Sequence, residues 1–371
     1  MPLYLTEDQA MLRDTARDFM ASEGSIAKQL RKYRDMECRD GFGHALWKEL
    51  AELGFTGIMI DEADGGLGLG NVEAGIVLEE IGRNLTPSPF LISAVAVVEA
   101  LRGTPQRRRW LPGILAGDTV AALAVDEGPK HRPEAIAMQA ERSGNGFRLT
   151  GAKQFVVQGA SADFFVVAAR TGEALTLFAV EKEAGGLEIE GARLADGSIG
   201  ARMEFRGVEV DADAVIGEVD QGGAILSRVL NAGRAGAASE MVGLGSAAMA
   251  MTTDYLKQRK QFGRLIGEFQ SLQHRIAHLY SELEIARAAT LKAQQLLDEG
   301  SDEADTMVSV AKAKAGRVST LAVQEGVQMH GGIGMTDEYD IGLYMKRDRV
   351  LNELFGDANY HSDKLARLNG Y

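Results

Sequence analysis

The sequence predicts an α+β fold in three parts: a helical N-terminal domain, a central antiparallel β domain and a C-terminal four-helix bundle. From Thr6 to about Leu101, apolar residues such as Leu12, Ala16 and Phe19, then Trp47, Leu50 and Ala51, recur at three- and four-residue steps, the period of a helix with one buried face. Between Val120 and Val215 that period gives way to short apolar runs broken by Gly, Asp and Asn. The runs VAALAV, GFRLTGAKQFVV, DFFVVAAR, LTLFAVEK and ARMEFRGVEV read as strands. After Gly222-Gly223, long helical periods rich in Ala, Leu, Met and Gln resume and continue to about Gln328. The predicted domains are 1–118, 119–222 and 223–371.

Composition narrows the function classes. A chain of 371 residues is too long for one ordinary core. Its formal net charge of −13 opposes a sequence-independent nucleic-acid partner, which needs a basic face. The run Arg107-Arg108-Arg109 leads directly into Trp110-Leu111-Pro112 and reads as a solvated helix end. Cys38 is the single cysteine, so no internal disulfide framework or multi-thiolate zinc site exists, and a reducing cytoplasm fits. The N-terminal stretch MPLYLTEDQAMLRDTARDFM is amphipathic and carries acids, unlike a secretory signal. No apolar run approaches the ~18 residues that span a bilayer. The expectation is a soluble cytoplasmic protein with no membrane, nucleic-acid or metal partner.

Several motifs carry little chemistry. The run Gly65-Gly66-Leu67-Gly68-Leu69-Gly70 follows the strand-like FTGIMI but is not GxGxxG, and the prolines of NLTPSPF oppose the next strand of a dinucleotide-binding unit. It reads as a glycine turn. His274 and His278 share a helix face at zinc spacing, yet Arg275 stands between them and no third ligand is in view.

Two C-terminal stretches carry more. Tyr255 to Gln273, YLKQRKQFGRLIGEFQSLQ, reads as helix, turn and helix, with Arg259 and Gln261 beside a Phe262-Gly263 corner suited to a phosphate. Gln328 to Met335, QMHGGIGM, places three glycines in four residues, where a backbone lacking Cβ can approach a ligand. Gly233, Gly236, Gly243 and Gly245, with Ala235, Ala237 and Ala238, crowd thirteen residues of one predicted helix. Each helical glycine costs about 1 kcal/mol relative to alanine, so the cluster implies close approach of either another helix or a ligand.

Together these stretches resemble the paired flavin-binding signatures of the acyl-CoA dehydrogenase family, and the resemblance spans nearly the whole chain. It includes LAELGFTGIMIDEADGGLGLG, LEEIGRNLTPSPF and WLPGILAGDTVAALAV. It implies FAD as cofactor, an acyl-CoA substrate and electron-transfer flavoprotein as acceptor. Carried over residue by residue, it implies cofactor contacts at Arg259, Gln261, Phe262, Gln270, Gln328, Gly331 and Gly332, commonly across a subunit interface.

The chain departs from the family where proton abstraction occurs. Relatives hold the α-proton-abstracting glutamate either in a C-terminal Tyr-Glu-Gly-Thr stretch or just before the arginine of the glycine-rich helix. Here Phe355-Gly356 and Gly233-Arg234 occupy those places. Asp357, one residue from the first site, and Glu240, two helical turns after Gly233, are the displaced candidates. Relatives also carry Thr-Glu with Gly-Ser-Asp, and Trp-Ile-Thr, around the flavin ring. This chain has Asp126-Glu127-Gly128-Pro129 and Phe155-Val156-Val157-Gln158, without those hydroxyls.

The tail HGGIGMTDEYDIGLYMKRDRVLNELFGDANYH resembles small subunits of heteromeric α2β2 bacterial enzymes, of the pimeloyl-CoA and steroid side-chain types. That implies a larger homologous partner supplying the glutamate. The other expectations are an independent homotetramer with Glu240 or Asp357 as base, and a non-catalytic structural partner that binds little flavin.

Overall fold

A computed structural model describes residues 3–371; Met1 and Pro2, the start of the first predicted domain, lie outside the described residues. Its helices are α1 (Glu7–Ser22), α2 (Lys32–Asp35), α3 (His44–Glu52), α4 (Asn71–Asn84), α5 (Val98–Leu101), α6 (Arg107–Leu115), α7 (Gly222–Gln258), α8 (Gln270–Asp298), α9 (Ala304–His330), α10 (Ile341–Glu353) and α11 (Ala358–Leu368). The strands are β1 (Ala121–Ala124), β2 (Gln139–Ser143), β3 (Gly146–Val157), β4 (Phe164–Thr171), β5 (Ala174–Glu181), β6 (Leu187–Arg193), β7 (Ile199–Val210) and β8 (Val215–Ile216), followed by the two-residue β9 (Lys260–Gln261) and β10 (Arg264–Leu265).

Helices, strands and helices follow in the predicted order. By compactness the chain forms two units: 1–30 with 75–86 and 234–371, and 31–74 with 87–233.

In the helical unit, α1 begins at a reciprocal cap. The Gln9 amide donates to the Thr6 hydroxyl at 3.2 Å, and the Thr6 amide donates to Gln9 Oε1 at 3.0 Å. Along α7 every residue from Val229 to Ser246 is buried, as for a helix wrapped on all sides. Among the cluster's glycines, Gly243 has an identifiable neighbour in α4. A Cβ on Gly243 would strike the Glu79 backbone, and one on Gly82 would strike the Glu240 backbone. Gly243 and Gly82 thus serve a helix crossing at a separation that no other residue permits.

In the second unit the strands form an eight-stranded sheet ordered β6-β7-β3-β2-β4-β5-β8, with β1 beside β4. The sheet is mixed rather than antiparallel, because β1 pairs parallel with β4 through Ala121↔Phe164 to Ala124↔Val167. Gln139 of β2 also meets Arg170 of β4 in parallel register. Apolar runs specify strands without specifying direction; the returning path of the chain sets that. FTGIMI, expected to be strand-like, instead turns through a short 3-10 helix at Phe55–Gly57, and the glycine run after it is a loop before α4. The three arginines form the N-terminal end of α6, with Arg107 bonded to Asp64 at 2.9 Å and Arg109 paired with Glu181.

Candidate functional site

The predicted helix–turn–helix around Arg259 contains an extra element. After α7 the chain makes a two-residue hairpin, pairing Gln261 with Arg264 across Phe262 and Gly263. Both tip residues have positive φ, +52° and +80°, as a type I′ hairpin requires. Phe262 bears the strain of that conformation while 92% exposed. Arg259 and Gln261 are exposed, and no described residue pairs with the Arg259 guanidinium. This leaves a positive fork beside backbone amides, the chemistry of a phosphate contact.

The glycine motif lies in the same unit. Tyr255 of α7 stacks against His330 at the end of α9, with ring centroids 4.4 Å apart. Gly331 follows with φ +66° and ψ −140°, a conformation reserved for glycine. A Cβ on Gly331 or Gly332 would meet nothing within 4 Å, unlike Gly243, so internal packing does not demand these glycines. Open space above a glycine backbone fits a nucleotide laid on it, and exposed Gln328 and Gln270 add amides. The residues present therefore fit the adenine and pyrophosphate part of FAD.

His330 is buried, and its Nδ1 contacts the Gly326 carbonyl at 2.7 Å. Burial lowers its pKa, partly opposed by that bond. His274 and His278 are both exposed on α8, and no metal-holding cluster occurs among the described residues.

The Phe355-Gly356 turn, the first of the two expected base positions, is held by buried cations. Phe355 and Gly356 adopt φ +61° and +99°. Arg234 Nε donates to the Phe355 carbonyl at 3.2 Å, and His361 Nε2 lies 3.1 Å from the same oxygen. Lys312 Nζ, fully buried, donates to the carbonyls of Leu351, Asn352 and Gly356 at 3.0, 3.4 and 2.9 Å. Burial, reinforced by the Arg234 charge, brings the Lys312 pKa down to about 7. A Cβ on Gly356 would collide with the Tyr360 ring.

Both displaced candidates are engaged. Arg347 grips the buried Glu240 carboxylate, Nε at 2.7 Å and Nη2 at 2.6 Å from Oε1. Asp357 caps α11, accepting from the Tyr360 amide at 2.8 Å.

In the second unit, Asp126-Glu127 and Phe155–Gln158 come together. The Gln154 amide donates to the Asp126 carbonyl at 2.8 Å, and the fully buried Lys153 donates to Glu127 Oε1 at 2.7 Å. Burial lowers the Lys153 pKa against the opposing pull of Glu127. Val156 and Val157 are buried, and the β3–β7 ladder slips between Lys153 and Val156. Motif reading missed Lys153 and Lys312; the signal available was a lysine inside an apolar run, GAKQFVV and VSVAKAKA.

Comparison with known proteins identifies the family. Residues 6–118 match the acyl-CoA dehydrogenase N-terminal domain, and 220–368 match the acyl-CoA dehydrogenase C-terminal domain. The chain is 31% identical to acyl-CoA dehydrogenase FadE12 of Mycobacterium tuberculosis, covering 93% of this chain and 91% of the relative. It is 32% identical to mitochondrial isovaleryl-CoA dehydrogenase of Solanum tuberosum, covering 83% and 78%. Among solved structures, a variant of the Tcur3481-Tcur3483 steroid ACAD is similar with a TM-score of 0.90, 28% identity and 98% coverage of both chains. The chain therefore belongs to the acyl-CoA dehydrogenase family, FAD-binding oxidoreductases that act on the CH–CH bond of acyl-CoA.

Proposed function

We propose that this chain is one subunit of an FAD-dependent dehydrogenase that desaturates a CoA thioester between its α and β carbons, and that a larger homologous subunit supplies the proton-abstracting carboxylate. The observation that carries this reading is the pair Gly233 and Gly356, which leaves no side chain at either base position. Abstraction needs a carboxylate about 3 Å from the α-proton. Glu240 held by Arg347 and Asp357 capping α11 both have structural partners, which favours a base from elsewhere.

Bound FAD would take the β-hydrogen as hydride; this chain's part is to hold the cofactor's phosphate and adenine portions with Arg259, Gln261, Phe262, Gln270, Gln328, Gly331 and Gly332. The similar steroid ACAD, whose name joins two components, supports a heteromer. Electron-transfer flavoprotein is the proposed acceptor. The test is to purify the chain alone and with a co-expressed larger homologue, then measure flavin content and acyl-CoA-dependent dye reduction. Activity is expected only in the pair; full turnover by the isolated chain would sink the dependence on a partner.

A further inference from the structure

Helix α11 is anchored by a histidine where an apolar side chain would hold at any pH. Of its residues, His361 alone is fully buried, at 0% exposure; Leu365 is half-buried and Leu368 exposed. The imidazole Nε2 lies 3.1 Å from the Phe355 carbonyl, which places the hydrogen on that nitrogen, because a carbonyl only accepts. Nδ1 is then the acceptor of the ring, buried and with no hydrogen-bond partner among the described residues. A second proton on the ring must sit there, out of water and with nothing to receive it.

The surroundings oppose that proton further. Arg234 of α7 donates to the same Phe355 oxygen at 3.2 Å, and Lys312 of α9 donates to the Gly356 carbonyl at 2.9 Å. Lys364, on the next turn of α11, adds a third positive charge, itself paired with Asp305 of α9 at 2.6 Å. The Tyr360 ring packs edge-on at 5.1 Å. The nearby acids, Asp348 and Glu353 of α10 and Asp357 at the α11 cap, act on Lys312. Burial, then Arg234 and Lys312, push the His361 pKa down to about 2. What else ties α11 to α9 is partly exposed and contributes little: the Lys364–Asp305 pair, and Arg317 donating to the Ser362 hydroxyl at 2.8 Å.

We propose that His361 is an acid-released latch: neutral, it docks α11 and the Phe355-Gly356 turn onto α9; protonated, it expels them, freeing residues 354–368 while the rest of the helical unit stays folded. Undocked, the imidazole returns to its ordinary range and takes up a proton below about pH 6.5, which the docked ring cannot do. Docking is therefore complete above that pH and weakens about tenfold per pH unit below it. Lys312, with a pKa of about 7 when docked, is protonated in both states at pH 6 and below and adds no slope there. Asp348, raised by burial, acts in the opposite sense, and comparison with a variant at His361 subtracts it.

The test follows amide hydrogen exchange of the full chain at pH 6 and pH 5, on peptides covering 354–368 and on α8, corrected for the intrinsic exchange rate. Opening of 354–368 is expected to rise about tenfold between the two, with α8 changing less than twofold. H361Q keeps an N–H donor without the titrating ring, and its opening is expected to differ less than twofold. No rise in the unmodified chain overturns the proposal. A rise that persists in H361Q overturns it too, as does one shared by α8, which reports global unfolding. Should H361Q fail to fold, imidazole nitrogen shifts of the unmodified chain decide: the His361 ring is expected to stay neutral wherever 354–368 is protected. A ring that titrates near its ordinary 6.5 with that segment still protected overturns the latch.

Discussion

The Lys312 ammonium donates to the Gly356 carbonyl at 2.9 Å from a side chain that is buried. It thereby ties α9 to the Phe355-Gly356 turn. Three carbonyl acceptors match the three N–H groups of an ammonium, while burial and Arg234 oppose the charge.

The balance predicts a pH dependence of stability. With the Lys312 pKa near 7 when folded and 10.5 when unfolded, the unfolded state holds more protons between those values. This group's contribution therefore rises as pH rises from 7 toward 10.5, on the order of 1 kcal/mol per pH unit. Urea denaturation at pH 7 and pH 9 should show the rise, and Lys312→Met should abolish it.

His361 works on the acid side. Burial, with Arg234 and Lys312 nearby, depresses its pKa to about 2 from 6.5. Unfolding below pH 6.5 takes up a proton, so stability falls with pH through that window and is flat above it, again by on the order of 1 kcal/mol per pH unit. Replacing His361 by Phe should flatten this arm of the urea-midpoint profile between pH 6.5 and pH 4.

Gly243 and Gly332 should separate packing from binding. Gly243→Ala drives a methyl into the Glu79 backbone and should lower stability by about 1–3 kcal/mol, seen as an earlier melt. Gly332→Ala meets no neighbour, so its melt should stay near that of the unmodified chain while FAD affinity drops. Equal melting losses would contradict the distinction.

Arg259→Leu removes an exposed guanidinium that pairs with no described residue. Stability should shift by less than about 0.5 kcal/mol. Loss of a charge-assisted phosphate contact, about 1.5–3 kcal/mol, should weaken FAD by roughly 10- to 100-fold by fluorescence titration.

Restoring a glutamate at Gly356 should not restore a working base. The backbone is held at φ +99° and the Tyr360 ring fills the space, so Gly356→Glu should destabilise by about 1–3 kcal/mol without dye reduction by the isolated chain. Acyl-CoA-dependent turnover by that variant would show that the turn can rearrange.

Much of the candidate site was legible because its chemistry is local. Arg259, Gln261 and Phe262 sit within four positions, and Gly331 and Gly332 are adjacent, so order along the chain already carries the motif. The glycines at 233 and 356 were equally legible, since glycine lacks a side chain in any fold. The parallel pairing of β1 with β4 was hidden, because Ala121–Ala124 reads alike in either direction. The hairpin after α7 was hidden too: Lys260–Leu265 is too short and polar to announce paired strands beside two long helices.

The sequence by itself determined the order of helices and strands, the family and the absence of a carboxylate at two positions, because periodicity and residue identity survive without coordinates. Only the tertiary structure decided which glycines serve packing and which face open space, that Glu240 belongs to Arg347, and that Lys153 and Lys312 are buried pins. The physical reason is distance: a lysine inside an apolar run becomes a structural bond only when folding brings carbonyls or a carboxylate within about 3 Å of its ammonium and excludes water.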